Sequence, residues 1–213
     1  SFPTRRSSDL ALTSDVELVD SHVNGIAGVT CRIACPAPAG HVHRSVADIA
    51  RMMDESTLSA AAREKADAVW QVLAKAEASV HGASPDKVHF HEVGRTANVV
   101  AIGLIAELFT TLNPEGFFAS AVPLGDGSVN CAHGAVPNPA PALFAMLDNV
   151  AVRGFTGIGE AVTPTGLAVL LGLGATFGAW PEMTVKRHVT AYAPDKVFAY
   201  CANGLLFALG DKA

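Results

Sequence analysis

Two histidines and a carboxylate crowd into one short stretch of this chain, His89-Phe90-His91-Glu92-Val93-Gly94. In extended backbone successive side chains alternate, so the spacing predicts His89 and His91 on one face and Phe90 on the other. Paired imidazoles followed by a carboxylate suit a borderline cation such as Ni, Zn, Fe or Mn. Gly94 lets the backbone turn tightly into the apolar segment that follows. A lone His-x-His pair is more often two surface or satisfied core histidines, so the rest of the chain carries the weight. A second pair, His41-Val42-His43, lies upstream, and His133 precedes Gly134 in a loop. Were the pairs to meet in space beside Glu92, they would form a mixed imidazole–carboxylate site. Neutral imidazole favours Ni and Zn, and the carboxylate keeps Mn or Mg open. The candidate metal ligands are therefore His41, His43, His89, His91 and Glu92, with Glu92 and His133 as the candidate catalytic groups.

Two further loops could hold an anion. Gly125-Asp126-Gly127 is a glycine-rich turn, and Thr163-Pro164-Thr165-Gly166 opens an apolar segment read as a helix. Backbone N–H groups at a helix N-terminus bind phosphate well. Neither stretch matches a P-loop or a dinucleotide fingerprint, and ordinary turns and caps are the alternative. Gly125, Gly127, Thr163, Thr165 and Gly166 are the candidate cofactor-binding residues. No G-x-S-x-G block occurs, and no cysteine–histidine pairing has the context of a nucleophile.

These residues need a packed scaffold. Half of the 213 residues are hydrophobic and 16% are charged, which fits one large or two small globular domains rather than a disordered chain. A net charge of −5, with basic pairs only at Arg5-Arg6 and Lys186-Arg187, argues against nucleic acid as the main partner. Residues 161–181 carry no charge, but Pro164 and four glycines mark a loop and a buried helix rather than a membrane span. No secretory signal is visible. Cys31, Cys35, Cys131 and Cys201 are scattered, which points to free buried thiols in a reducing cytosol, hence a cytoplasmic protein. Residues 1–10 read as translated sequencing adaptor and are set aside, leaving residues 11–213 as the domain.

Residues 15–20 and 28–35 read as strands around the hairpin signal Asn24-Gly25. Ser45 with Asp48 predicts a capped helix to about Asp54. Ser59 opens a longer helix, with apolar residues at threes and fours from Ala62 to Val80, that ends at His81-Gly82. Thr96 to Leu112 reads as a buried helix. Strands are expected over Phe117 to Leu124 and Val129 to Ala132, then a helix from Ala142 to Leu147. Thr165 is expected to cap a helix from Leu167 to Leu173. Final strands are placed around Met183 to Thr190 and Val197 to Cys201, with a turn at Asn203-Gly204. Helices and strands mix without strict alternation, so the fold class is α/β, a mixed sheet with packed helices.

Taken together, these blocks resemble the LarC family of nickel-insertion proteins. The resemblance rests on His41-Val42-His43-Arg44, Ala76-Glu77-Ala78, His81-Gly82 and His89-Phe90-His91-Glu92-Val93-Gly94. It continues through Pro123-Leu124-Gly125 with Gly127, Ala132-His133-Gly134, Pro137 with Pro139-Ala140-Pro141-Ala142, Glu160, Val162-Thr163-Pro164-Thr165-Gly166 and Asn203-Gly204-Leu205. It implies nickel insertion into a pyridinium bisthiocarboxylate mononucleotide, giving the nickel-pincer nucleotide cofactor of lactate racemase and related enzymes. It also implies a nickel chelatase of the lyase class that uses CTP with Mn or Mg. Implied partners are the nucleotide precursor, other cofactor-synthesis proteins, a nickel-dependent racemase or epimerase, and further copies of the chain in a homo-oligomer. The sequence departs from the family where aspartates are usual, at Ala97 and Ala101, and carries Leu206 in place of an arginine. The family's N-terminal segment and its C-terminal, CTP-associated region have no counterpart here. A non-catalytic metal-binding or scaffold paralogue is the alternative function, and a metal-dependent hydrolase a third.

Overall fold

The computed structural model describes residues 15–35, 43–131, 133–156, 159–193 and 204–212. The chain opens with an antiparallel hairpin, β1 (Asp15–Val23) and β2 (Ile26–Ala34). Its turn has positive φ at both Asn24 (51°) and Gly25 (77°), the geometry that matches strand twist in a two-residue hairpin. β3 (Arg44–Ser45) leads into α1 (Val46–Asp54), where Ser45 and Asp48 cap each other's backbone N–H groups. α2 (Ala60–His81) starts at Ser59, whose Oγ accepts the Ala62 N–H, and stops at Gly82 in the left-handed region.

α2 is the spine of the fold. Ala62, Ala66, Val69, Leu73 and Ala76 are fully or almost fully buried along one side. α3 (Thr96–Leu112) and α5 (Pro164–Gly172) pack on it, with α1 and the short α4 (Pro141–Phe144) beside them. Small residues allow the close approach: a Cβ built on Gly172 would lie 2.6 Å from the Val69 Cα. Phe90, in β4 (His89–Phe90), is wholly buried, with its ring 5.2 Å from that of Trp70 on α2. Burying a side chain of that size contributes roughly 1.5–3 kcal/mol. It also anchors the histidine-rich stretch to the core.

The remaining strands are β5 (Phe118–Ala119), β6 (Val122–Leu124), β7 (Ser128–Cys131), β8 (Gly134–Pro137), β9 (Val152–Gly154), β10 (Thr176–Phe177), β11 (Met183–Ala191) and β12 (Leu205–Lys212). The largest sheet is four-stranded and mixed, in the order β1-β2-β11-β12, with a parallel contact at Ala191 and Val29. Two-stranded pairings join β3 to β4, β5 to β10, β6 to β9 and β7 to β8. The architecture is α/β, a mixed sheet with packed helices.

Several boundaries differ from those expected of the sequence. The strand expected over Phe117 to Leu124 splits in two, because β5 pairs with β10 and β6 with β9. Thr163, not Thr165, caps α5: its Oγ1 accepts the Gly166 N–H at 3.1 Å, and Pro164 takes the first helical position, where no N–H is needed. α4 is shorter than expected and begins at Pro141. Cys31 is exposed rather than buried. The strand expected over Val197 to Cys201, the turn residue Asn203, residues 1–10 and His41 all lie outside the described residues.

Candidate metal centre

β4 lasts only two residues, paired Arg44 to Phe90 and Ser45 to His89. Strand alternation therefore stops before His91, and the two histidines part. His89 is exposed, opposite Ser45, whereas His91 is half-buried in the turn that follows. That turn is held from both sides. Arg44 donates to the Gly94 carbonyl and to Thr96 Oγ1, the latter at 2.9 Å. The Asn98 amide donates to the carbonyls of Glu92 (3.1 Å) and Val93 (3.2 Å).

His91 faces three imidazoles from distant parts of the chain. His43 comes from the residue before β3, with its ring centroid 4.8 Å away. His81 is the last residue of α2, at 6.1 Å, and His133 lies in the turn between β7 and β8, at 5.5 Å. His81 and His133 are themselves 5.0 Å apart. One ligand atom each from His81, His91 and His133 fall within 4.8 Å of one another. Imidazole nitrogens sharing an ion at about 2.0–2.1 Å stand about 3–4 Å apart, so small side-chain rotations close the set.

The electrostatics favour the ligand form. Burial lowers the His91 pKa, and the charges that His43, His133, His81 and His89 would carry lower it further. A neutral imidazole keeps its lone pair for a metal. Glu77, four residues before His81 on α2, has its Oε2 3.4 Å from His81 Nε2. Burial raises the Glu77 pKa, against the opposing pull of His81 and His133.

Of the sequence-derived ligands, His91 enters this cluster and His43 flanks it; His133, expected as a catalytic group, joins the cluster as a potential ligand. His89 stands outside the three-histidine group. Glu92 is 48% exposed, with its carboxylate 3.8 Å from Arg95. His81 was not foreseen as a ligand, because His81-Gly82 reads as an ordinary helix end. The available signal was the i, i+4 pair Glu77 and His81 at that end, a carboxylate and an imidazole on one helix face.

Asn138 ties the Gly125-Asp126-Gly127 turn to Gly159, four residues before Thr163. Asn138, 8% exposed, donates from Nδ2 to the carbonyls of Asp126 (3.3 Å) and Gly159 (3.1 Å), while its N–H reaches Gly127. A Cβ on Gly125 would lie 2.7 Å from that Nδ2. Gly125 is thus buried against Asn138, Gly127 is exposed, and Thr163 is engaged in capping α5, with Thr165 and Gly166 in its first turn.

The family model for nickel insertion protein matches residues 4–206. The chain belongs to the nickel insertion protein family. It is similar to relatives that carry that name provisionally. One from Geotalea daltonii is 42% identical over 171 residues, covering 80% of this chain and 44% of the relative. One from Geobacter metallireducens is 46% identical over 169 residues, covering 79% and 43%. One from Citrifermentans bemidjiense is 37% identical over 201 residues, covering 94% and 51%. The chain thus spans about half the length of the curated relatives it matches. No solved structure matches. Within the family's matched region, three histidines from separate parts of the chain come together around His91. Among the described residues, no helix is long and apolar enough to cross a membrane.

Proposed function

We propose that this chain receives Ni(II) on His81, His91 and His133, flanked by His43, and passes it to a pyridinium bisthiocarboxylate mononucleotide to give the nickel-pincer cofactor. The observation that carries the reading is the convergence of donor atoms from His81, His91 and His133, in a chain whose family is nickel insertion. Ni(II) is the cargo. Neutral imidazoles hold it as borderline ligands, and the thiocarboxylate sulfurs of the acceptor are softer. His133 is exposed on a hairpin tip and can follow the ion outward. Glu92, exposed one residue beyond His91, is the carboxylate at hand for a second, harder ion such as Mn or Mg. The β7–β8 hairpin joins His133 to the loop at Gly127. A four-residue strand spans roughly 13 Å, so a nucleotide with its head at the histidines would direct its phosphate toward Gly125, Gly127 and the start of α5. CTP is assigned to the same loops, as the implied co-substrate.

A second reading, a metal-binding scaffold that no longer transfers nickel, is favoured by α3. Its first turn holds no acidic residue, and Ala97 and Ala101 occupy positions where the resemblance implies aspartates. Incubation of the Ni(II)-loaded protein with the bisthiocarboxylate mononucleotide, CTP and Mn separates the two. Mass spectrometry of a nickel-containing nucleotide supports transfer. Stoichiometric Ni(II) binding with no nickel-containing nucleotide supports the scaffold.

A further inference from the structure

α2 ends with Glu77 and His81 four residues apart, which places both side chains on one helix face. The Glu77 side chain is 12% exposed, and Oε2 lies 3.4 Å from His81 Nε2. A carboxylate this far from water costs free energy unless it is partnered. Among the described residues the ion pairs include no Lys or Arg on Glu77; its partner is His81. An acid near a helix C-terminus also opposes the helix dipole, so helix stability does not account for it. What Glu77 does face is the imidazole cluster.

We propose that Glu77 is the positioning residue of the metal centre: it accepts the Nε2–H of His81, fixes the ring and its tautomer, and so presents Nδ1 to the ion shared with His91 and His133. This rests on the reading of His81, His91 and His133 as a nickel site. A carboxylate only accepts, so the shared hydrogen belongs to Nε2 and the free lone pair to Nδ1. Histidine ligands commonly donate their second N–H to a carboxylate, and losing that partner costs about 10–100-fold in metal affinity.

The test combines Ni(II) calorimetry with 15N NMR of the histidine side chains, using Zn(II) as the diamagnetic probe, on the protein and on Glu77→Leu, Glu77→Gln and His81→Ala. In the unsubstituted protein His81 should be the Nε2–H tautomer, metallated at Nδ1. Glu77→Leu should lower Ni(II) affinity about 10–100-fold and scramble the His81 tautomer. Glu77→Gln, whose amide oxygen still accepts, should keep the tautomer and most of the affinity. If His81→Ala abolishes binding while Glu77→Leu, folded by circular dichroism, binds as before, Glu77 has no positioning role and the nickel site stands. If the unsubstituted protein binds no Ni(II), the site reading itself fails. Should Glu77→Leu not fold, a metal on Nε2 of His81 in the unsubstituted protein overturns the proposal by itself.

Discussion

Replacing His81 by alanine separates the ligand set read from sequence from the set assembled in the fold. His81 belongs to the group whose donor atoms lie within 4.8 Å of one another, and His89 does not. Losing one of three converging imidazoles would remove a direct bond to the proposed ion. The cost should therefore reach at least the tenfold floor seen when a ligand loses its hydrogen-bond partner, and tenfold corresponds to ~1.4 kcal/mol. His81→Ala is expected to weaken Ni(II) binding by at least about tenfold, and His89→Ala by less than about twofold. The fold should tolerate both changes. His81 is exposed at the end of α2, and alanine has the highest helix propensity. Calorimetric Ni(II) titration in a buffer that does not coordinate nickel reads the affinity, and far-ultraviolet circular dichroism checks the helices. An unchanged affinity in His81→Ala, paired with a tenfold loss in His89→Ala, would refute the structural ligand set and restore the one based on strand alternation.

Arg44→Ala removes the donors to Gly94 and Thr96. It should destabilise the protein by about 1.5–3 kcal/mol and weaken Ni(II) binding with it, read by chemical denaturation and calorimetry. Asn138→Ala strips the amide from the Asp126 and Gly159 carbonyls. A loss of about 1–3 kcal/mol is expected in denaturant melts, with weaker CTP binding; unchanged stability would show that these loops are not held together by Asn138. Gly172→Ala places a methyl 2.6 Å from the Val69 Cα, and the helices must part at a cost of about 1–3 kcal/mol, measured as a lower Tm. The metal-free protein should lose stability as pH falls below about 6.5, the unperturbed histidine value, and on down through the lowered His91 pKa. The unfolded chain takes up that proton first, and His91→Ala should flatten this limb of a Tm-against-pH series.

The local elements were legible because each carries its own chemistry. Asn24-Gly25 dictates the hairpin, Ser45 with Asp48 the start of α1, and Ser59 and Gly82 the two ends of α2. The apolar spacing of α2 identified the face that became the core from Ala62 to Ala76, while Val80, near the helix end, is exposed. Pairing was harder to read. β5 and β6 are short pieces whose partners, β10 and β9, lie far along the chain, and no residue in either announces them. Thr163 and Thr165 both fit a cap, and only the position of Pro164 decides between them. At the site, the sequence pointed to His43, His91 and His133 but grouped His89 with His91 by strand alternation. Alternation fails there because β4 ends at Phe90 and the chain turns from His91 to Gly94, held by hydrogen bonds from Arg44 and Asn98. The contribution of His81 depends on where the end of a 22-residue helix lands, which is a property of tertiary packing.

Exposure distinguishes this cluster from a structural metal site. Structural sites close around the ion and keep it, whereas sites that do chemistry leave a position open. Here His43, His81 and His133 are exposed and only His91 is half-buried. Each histidine also hangs from a different element, so no single rigid unit sets the geometry. His81 rides on the well-packed α2, and His91 follows the buried Phe90, while His133 sits on a two-stranded hairpin at the edge. Under the proposed transfer, a set with two anchored ligands and one on an exposed tip would give up its ion stepwise, with His133 releasing first as a sulfur donor takes its place. That asymmetry is what the proposed bind-and-release role requires, and it makes His133 the residue whose replacement should slow the proposed transfer more than it weakens binding.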